Sequence, residues 1–170
     1  MRIAVSGTHC VGKSTLIDEF LRRNPSYAHE PEPYTTLVED FGEEFSAEPT
    51  VEDFRRQLEF SIESLGKHGP EENVIYERCP IDFLAYIAAL KPNDVDALVG
   101  PVEEAVKQLE LIVYLPIEHD DAEFQKLRKA VDRKLRAILL DDELGIINVP
   151  VVEASGSTEQ RVRIVQRAIS

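Results

Sequence analysis

The segment GTHCVGKST, residues 7–15, has the residue types and spacing of a phosphate-binding loop. Gly7 and Gly12 permit backbone angles that turn successive N–H groups toward an anion. Lys13 is spaced to reach the β- and γ-phosphates of a nucleotide, and the Ser14 hydroxyl can bind Mg²⁺. An apolar run precedes the segment and an amphipathic helical pattern follows it, so the dipole of that helix adds to anion binding. The candidate nucleotide-binding residues here are Gly7, Thr8, His9, Cys10, Val11, Gly12, Lys13, Ser14 and Thr15.

A second candidate site follows the second apolar run, in the segment HEPEPY, residues 29–34. A carboxylate of Glu30 or Glu32 can act as a general base that accepts a proton from a substrate hydroxyl. Tyr34 offers a flat surface for a ring, and the prolines stiffen the turn. The alternative is a solvated acidic turn without a catalytic role.

A third candidate lies at Glu77 and Arg78, directly after the third apolar run. An acid in this position can hold Mg²⁺ or its water, and the arginine supplies a fixed cation for phosphate oxygens. A strand-end ion pair without a ligand is the alternative. Asp82 either joins this site or only favours the dipole of the helix that begins near Pro80.

Two further segments carry residues suited to a nucleotide. A long charged helix bears Arg128, Arg133 and Arg136, of which one or two can close over the transferred phosphate; a solvated charged face is the alternative. After the last apolar run, Gly156 in the turn ASGS permits close approach of a purine, and Thr158 is expected to cap the final helix.

The composition limits the function classes. The chain has 170 residues, with 19 basic and 32 acidic side chains and a formal charge of −13. This charge argues against nonspecific binding of nucleic acid and against an anionic membrane surface. No apolar run approaches the ~20 residues of a membrane span, and no signal-peptide pattern precedes the loop, so we expect a cytoplasmic protein. Two cysteines are too few for a disulfide framework.

Alternating apolar runs and amphipathic stretches predict an α/β fold around a parallel sheet. The predicted strands cover residues 2–6, 27–30, 73–76, 111–115 and 151–153. Helices are predicted over residues 13–23, 36–45, 51–65, 80–90, 94–109, 121–140 and 158–169, with Thr50 as the cap of the third and Gly66 beyond its end. Ligands of such sheets bind at the carboxyl ends of the strands, where the candidate residues fall.

Together these motifs resemble the P-loop nucleoside and nucleotide kinases. The resemblance is greatest to the small AAA-labelled ATPase/kinase group that is similar to the nicotinamide-riboside kinase domain, and deoxynucleoside kinases share the same skeleton. It implies a three-layer fold with a five-stranded parallel sheet in the order 2-3-1-4-5. It implies one domain over residues 1–170, with a lid near residues 119–136.

The resemblance also implies roles for the candidate residues. The Glu-Pro pair of deoxynucleoside kinases matches Glu32 better than Glu30 and implies that Glu32 is the base. Glu77 would lie near Mg²⁺ and Arg78 near the phosphates. Arg128 is the first choice for the lid arginine and Arg133 the second. Cys10 stands where monophosphate kinases usually have a further glycine.

We therefore expect phosphoryl transfer from Mg·ATP to a small-molecule hydroxyl. Only Arg55 and Arg56 near the middle helix are obvious candidates for binding a substrate phosphate, which favours a neutral acceptor such as a nucleoside. The alternative is a nucleotide-dependent switch or a stand-alone ATPase, although the guanine-selecting motif Asn-Lys-Xaa-Asp is absent from the sequence. The expected partners are ATP and the acceptor, and the sequence leaves a homodimer open.

Overall fold

The computed structural model describes residues 1–69, 71–118 and 125–170. The strands are β1 (Arg2–Ser6), β2 (Ala28–Glu30), β3 (Val74–Glu77), β4 (Leu111–Tyr114) and β5 (Val151–Glu153). The helices are α1 (Lys13–Arg23), α2 (Pro33–Glu39), α3 (Val51–Lys67), α4 (Pro80–Leu90), α5 (Asp96–Val106), α6 (Gln125–Leu139) and α7 (Thr158–Ala168). A short 3₁₀ turn, Pro92–Asp94, lies between α4 and α5.

The five strands form one parallel sheet in the order β2-β3-β1-β4-β5, which confirms the predicted order. Strands β1, β3 and β4 are buried along their whole length, because helices cover both faces. In the register of the sheet Val5 pairs with Glu77, and Ser6 pairs with Tyr114. The carboxyl ends of the three central strands therefore meet at the segment that connects β1 to α1.

The core has two layers, one on each face of the sheet. Side chains alternate along β1, so that Ile3 and Val5 pack with α1 and α7, whereas Ala4 packs with α3, α4, α5 and α6. Phe20 of α1 and Val162 of α7 are fully buried in the first layer. The predicted arrangement of helices on both faces is thus confirmed, and the phosphate-binding loop is anchored by buried strands and helices.

Several element boundaries differ from the predicted ones for local reasons. Helix α2 begins at Pro33 rather than at residue 36, because proline suits the first turn of a helix. Helix α3 continues to Lys67, so Gly66 lies inside its last turn and does not end it. Ser157, not Thr158, caps α7: its hydroxyl accepts from the Gln160 amide, and the Gln160 side chain accepts from the Ser157 amide.

Helix α6 covers most of the segment that was predicted as a lid. Val131, Leu135 and Ile138 are buried in the core layer that this helix shares with α4. Residues 119–124 of the predicted lid lie outside the described residues. None of the helices in the described ranges is both long enough and apolar enough to cross a membrane.

Candidate active site

The loop between β1 and α1 is shaped by backbone conformations and tight packing. Gly12 has φ +89° and Cys10 has φ +59°, so both lie in the left-handed region, which glycine adopts without strain. At Gly7 a Cβ atom would lie 2.7 Å from the backbone oxygen of Leu115, so a side chain does not fit there. Cys10 is thus an L-residue in a backbone conformation that favours glycine.

Lys13 begins α1, and its ammonium group folds back over the loop. Its Nζ donates a hydrogen bond to the carbonyl oxygen of Thr8 at 2.9 Å. Burial, together with the nearby charge of Arg78, lowers the pKa of Lys13 to about 8. The lysine therefore lies in the loop interior, where an anion would stabilise its charged form.

Ser14 and Glu77 meet where α1 begins and β3 ends. The Ser14 hydroxyl donates to Glu77 Oε1 at 2.8 Å, and the Glu77 side chain is buried. Thr15 follows on the exposed side of the helix. Within the described ranges, no group of three or more His, Cys, Asp or Glu side chains is placed to hold a metal ion. A hydroxyl beside a carboxylate fits Mg²⁺, which commonly takes one or two protein oxygens together with waters and substrate phosphates.

Arg78 connects the loop to the second strand exit. Its Nε donates to Glu32 Oε1 at 2.5 Å and its Nη1 to the carbonyl oxygen of Gly7 at 2.8 Å. The guanidinium lies over the ring of Tyr86, 5.4 Å from its centroid. Burial disfavours the charge, yet the carboxylate of Glu32 outweighs burial, so the pKa of Arg78 is raised. The backbone of Arg78 has φ +74°, a strained conformation of the kind that is found at functional sites.

Asp82 belongs to this network, which settles a point that the sequence left open. Its side chain is fully buried, and it accepts from the amide of Gly7 at 3.0 Å and from the amide of Cys79 at 2.9 Å. It also lies 3.5 Å from Arg78 Nη1. Asp82 therefore holds the start of the loop against α4. The Cys79 thiol is buried beside it, and burial raises its pKa well above the usual value.

The two carboxylates of the segment HEPEPY have different surroundings. Glu32 faces the cavity beside the loop; burial alone would raise its pKa, but the charges of Arg78 and Lys13 lower it. Glu30 instead accepts from the Ser64 hydroxyl at 2.9 Å, and its other oxygen lies 2.6 Å from His68 Nε2. Only Glu32 is therefore placed to meet a molecule bound next to the loop.

The cavity beside the loop has a volume of about 180 Å³, and five aromatic side chains of the described residues contribute to its walls. Tyr34 and Phe45 lie with ring centroids 5.2 Å apart, and Phe54 stacks on Tyr86 at 4.5 Å. The lining residues are His9, Glu32, Tyr34, Phe45, Ser46, Pro49, Asp53, Phe54, Gln57, Arg78, Phe83, Tyr86 and Leu127. Flat apolar walls with a few polar groups suit a ring-bearing ligand.

Polar groups at the cavity come from α3 and from the loop. The Gln57 amide nitrogen donates to the carbonyl oxygen of Asp53 at 3.2 Å, which orients the side chain. The His9 amide donates to the Tyr86 hydroxyl at 3.3 Å. Burial and the charge of Arg78 lower the pKa of His9, so its ring is neutral at physiological pH. The sequence assigned no role to Gln57 or Tyr86, because spacing along the chain does not show which side chains of α3 and α4 reach the loop.

The predicted lid arginines divide between two regions. Arg128 reaches the loop, where its Nη2 donates to the carbonyl oxygen of Cys10 at 3.4 Å. Arg133 instead lines a groove with Ala88 and Pro92, and Arg136 pairs with Glu153 at 3.0 Å. The first choice for the lid arginine therefore lies at the loop and the second does not.

Arg161 of α7 also reaches the loop, which the sequence did not predict. Its Nη1 donates to the carbonyl oxygen of Val11 at 2.6 Å, and its Nη2 donates to a carboxylate oxygen of Glu118. The other oxygen of Glu118 accepts from the amide of Gly156 at 2.6 Å. The turn that contains Gly156, which was predicted to approach a purine, thus connects to the phosphate-binding loop through the ion pair between Glu118 and Arg161. The contact of Arg161 with a segment 150 positions away was not visible in the sequence.

Comparisons with known proteins agree with this architecture. Residues 2–161 match the model of a protein family described as AAA domain. Deoxyadenosine kinase from M. mycoides, solved with dCMP and dCDP, has a TM-score of 0.68 and 12% identity over 99% of this chain and 98% of that chain. The NadR protein solved with NAD and AMP-PNP has a TM-score of 0.73 and 18% identity, over 98% of this chain and 48% of that chain. The NadR protein solved with NR has a TM-score of 0.72 and 16% identity, over 98% of this chain and 50% of that chain.

The chain therefore spans about half the length of NadR and nearly the whole of the deoxyadenosine kinase. None of the curated protein sequences matches this chain. At these identities the structural likeness establishes the fold, and the family match covers the loop and every strand of the sheet.

Proposed function

The chain belongs to the AAA domain family and has the fold of the P-loop nucleoside kinases, and we propose on this premise that it transfers the γ-phosphoryl group of Mg·ATP to a hydroxyl of a small nucleoside-like molecule. The observation that carries the proposal is the position of Glu32. Its carboxylate lies in an aromatic-walled cavity and is hydrogen-bonded to Arg78, which also contacts the phosphate-binding loop.

The loop side of the site suits the phosphate chain of ATP. The amides of the loop, the dipole of α1 and the ammonium of Lys13 would bind the phosphates. Ser14 and Glu77 would hold Mg²⁺, directly or through water, and the ion would neutralise charge on the β- and γ-phosphates. Arg78 would add a buried cation on the cavity side, where charge spreads over the transferring group.

Glu32 would orient and deprotonate the acceptor hydroxyl. The cations Arg78 and Lys13 keep its pKa low, so the carboxylate is ionised at neutral pH and able to accept a proton. Its ion pair with Arg78 also fixes the carboxylate between the cavity and the loop. In this geometry the acceptor hydroxyl would approach the γ-phosphoryl group from the cavity side.

The charges around the cavity favour an acceptor without a phosphate. Among the described residues that line it, the acids are Glu32 and Asp53, and the one permanent cation, Arg78, is paired with Glu32. Arg55 and Arg56, the predicted phosphate binders, are bonded to Asp94 and Glu43 respectively. A substrate phosphate would therefore meet acids rather than an available arginine.

Ring recognition would come from the walls. The pairs Tyr34–Phe45 and Phe54–Tyr86 offer flat apolar surfaces, and aromatic stacking adds to the burial of a ring. Gln57 offers a positioned amide for the edge of that ring. These features favour a nucleoside or a pyridine riboside as the acceptor. A stand-alone ATPase or a switch would not need a cavity that binds an acceptor.

The proposal is tested by measuring ADP release from Mg·ATP in a screen of nucleosides, pyridine ribosides and the matching 5′-monophosphates. We expect at least one riboside to accelerate ADP release and to raise the unfolding temperature, while its own monophosphate does neither. Acceleration by the monophosphates alone would contradict the charge argument. ADP release that no acceptor changes would favour the ATPase or switch.

A further inference from the structure

The phosphate-binding loop is held from two sides by side chains of other elements. On the α4 side, Asp82 accepts from the Gly7 amide, and the Tyr86 hydroxyl accepts from the His9 amide. On the other side, arginines donate to the carbonyl oxygens of Cys10 and Val11. The first half of the loop thus has amides engaged and also the carbonyls of Gly7 and Thr8, which accept from Arg78 and Lys13. The side-chain contacts of the second half are to its carbonyls.

The amides of the loop are not all engaged. Within the described residues, those of Val11 and Gly12 donate to no acceptor of the chain, and neither do those of Thr8 and Cys10. No peptide bond of the described chain is cis. In a trans peptide the carbonyl and the N–H of the following residue point in opposite directions. A guanidinium that fixes the carbonyl of Val11 on one side therefore fixes the N–H of Gly12 on the other.

Arg161 is built into this position. Its side chain is 12% exposed, and its two terminal nitrogens are divided between Val11 and Glu118. A Cβ atom at Gly12 would lie 3.0 Å from Arg161 Nη1, so the guanidinium packs directly on the loop. A cation bonded to a carbonyl also polarises the peptide and strengthens its N–H as a donor.

We propose that Arg161 is a positioning residue for the nucleotide, which acts through the Val11 carbonyl to aim the Gly12 N–H at the phosphate chain. Glu118 holds the far end of the guanidinium and so fixes its direction. The inference rests on nucleotide binding by the loop, which is one part of the proposed function, and does not depend on the identity of the acceptor.

The test measures binding of Mg·ADP by calorimetry, without acceptor, to the wild-type chain and three variants. Arg161→Ala should weaken binding about 10-fold or more, since a hydrogen bond from a charged group that orders a second donor is lost. Arg161→Lys keeps the charge but lacks the planar guanidinium that reaches Val11 and Glu118 together, so this variant should bind Mg·ADP nearly as weakly as Arg161→Ala. Arg163→Ala removes a solvent-exposed arginine of the same helix and should bind as the wild type does.

A second readout separates positioning from a general structural role. The amide resonance of Gly12 should shift when Mg·ADP is added to the wild type, and should shift much less in Arg161→Lys at an unchanged unfolding temperature. Wild-type affinity in both Arg161 variants would overturn the proposal. So would wild-type affinity in Arg161→Lys alone, because charge rather than geometry would then suffice. A wild-type chain that does not bind Mg·ADP would instead contradict the proposed function itself.

Discussion

At the scale of single residues, the site depends on Arg78, which is buried, has a strained backbone and bonds to both halves of the proposed chemistry. Its guanidinium joins Glu32 to the Gly7 carbonyl, so that the candidate base and the phosphate-binding loop share one cation. The sequence predicted that Glu32 and Arg78 both follow strands and so lie at the carboxyl edge of the sheet. It did not predict that Asp82 would fix the Gly7 amide, because an acid in a first helical turn has a common local explanation.

The two carboxylates of the second strand exit should differ in function. We expect Glu32→Gln to lower kcat about 100-fold or more, since the neutral amide cannot accept the hydroxyl proton. Glu30→Gln is the matched control: it should keep most of kcat, because Glu30 bonds to Ser64 and His68 and does not line the cavity. Steady-state kinetics with an acceptor found by the screen measures both. The opposite order would assign the base to Glu30.

Lys13 should make nucleotide affinity depend on pH. Its pKa is lowered to about 8 by burial and by the charge of Arg78, and phosphates bind the protonated form. The affinity for Mg·ADP should therefore be constant below the pKa and fall by up to about tenfold per pH unit above it. Calorimetry from about pH 7 to about pH 9.5 measures the profile. Lys13→Arg, whose side chain stays charged, should bind with a flat profile, and a similar decline in that variant would assign the titration to another group.

At the scale of the elements, the strands and helices position the candidate residues. The hydrophobic periodicity of the sequence predicted most of these strands and helices. Buried apolar runs identified β1, β3 and β4, and proline positions identified the beginning of α4. Contacts between distant elements were not predictable in this way. Gln57 of α3 and Arg161 of α7 reach the site only because the sheet order brings their helices to its carboxyl edge.

The end of α3 should carry a pH-dependent contribution to stability. His68 bonds to Glu72 and to Glu30, and these hydrogen bonds raise its pKa. A base whose pKa is higher in the folded state stabilises the fold fully below its unfolded value, about 6.5, and loses that contribution as the pH rises through the folded value. The unfolding free energy lost in His68→Gln should thus be larger at acidic than at alkaline pH.

Denaturant unfolding at several pH values checks this expectation. His29→Gln serves as the control, because His29 lies on the neighbouring strand β2 but is exposed. Its effect on the free energy of unfolding should be small at every pH. A loss in His68→Gln that does not change with pH would show that the histidine contributes by packing alone.

At the scale of the whole molecule, an acidic chain brings four of its 19 basic side chains to one edge of the sheet. The formal charge is −13, yet Lys13, Arg78, Arg128 and Arg161 all contact the loop between β1 and α1. The fold class and strand order followed from alternating patterns and from the resemblance to the P-loop kinases. The cavity did not, because its walls come from α2, α3, α4, α6 and several loops, and spacing along the chain cannot show which side chains meet.

The proposed function requires that the γ-phosphoryl group of ATP moves to an acceptor hydroxyl at Glu32. This transfer can be followed with ATP labelled in its γ-phosphoryl group, together with the riboside that most accelerates ADP release. We expect the label to appear on a hydroxyl of the riboside in step with ADP, and Lys13→Ala to abolish the transfer. Recovery of the label only as inorganic phosphate, with every acceptor tried, would contradict the proposed function.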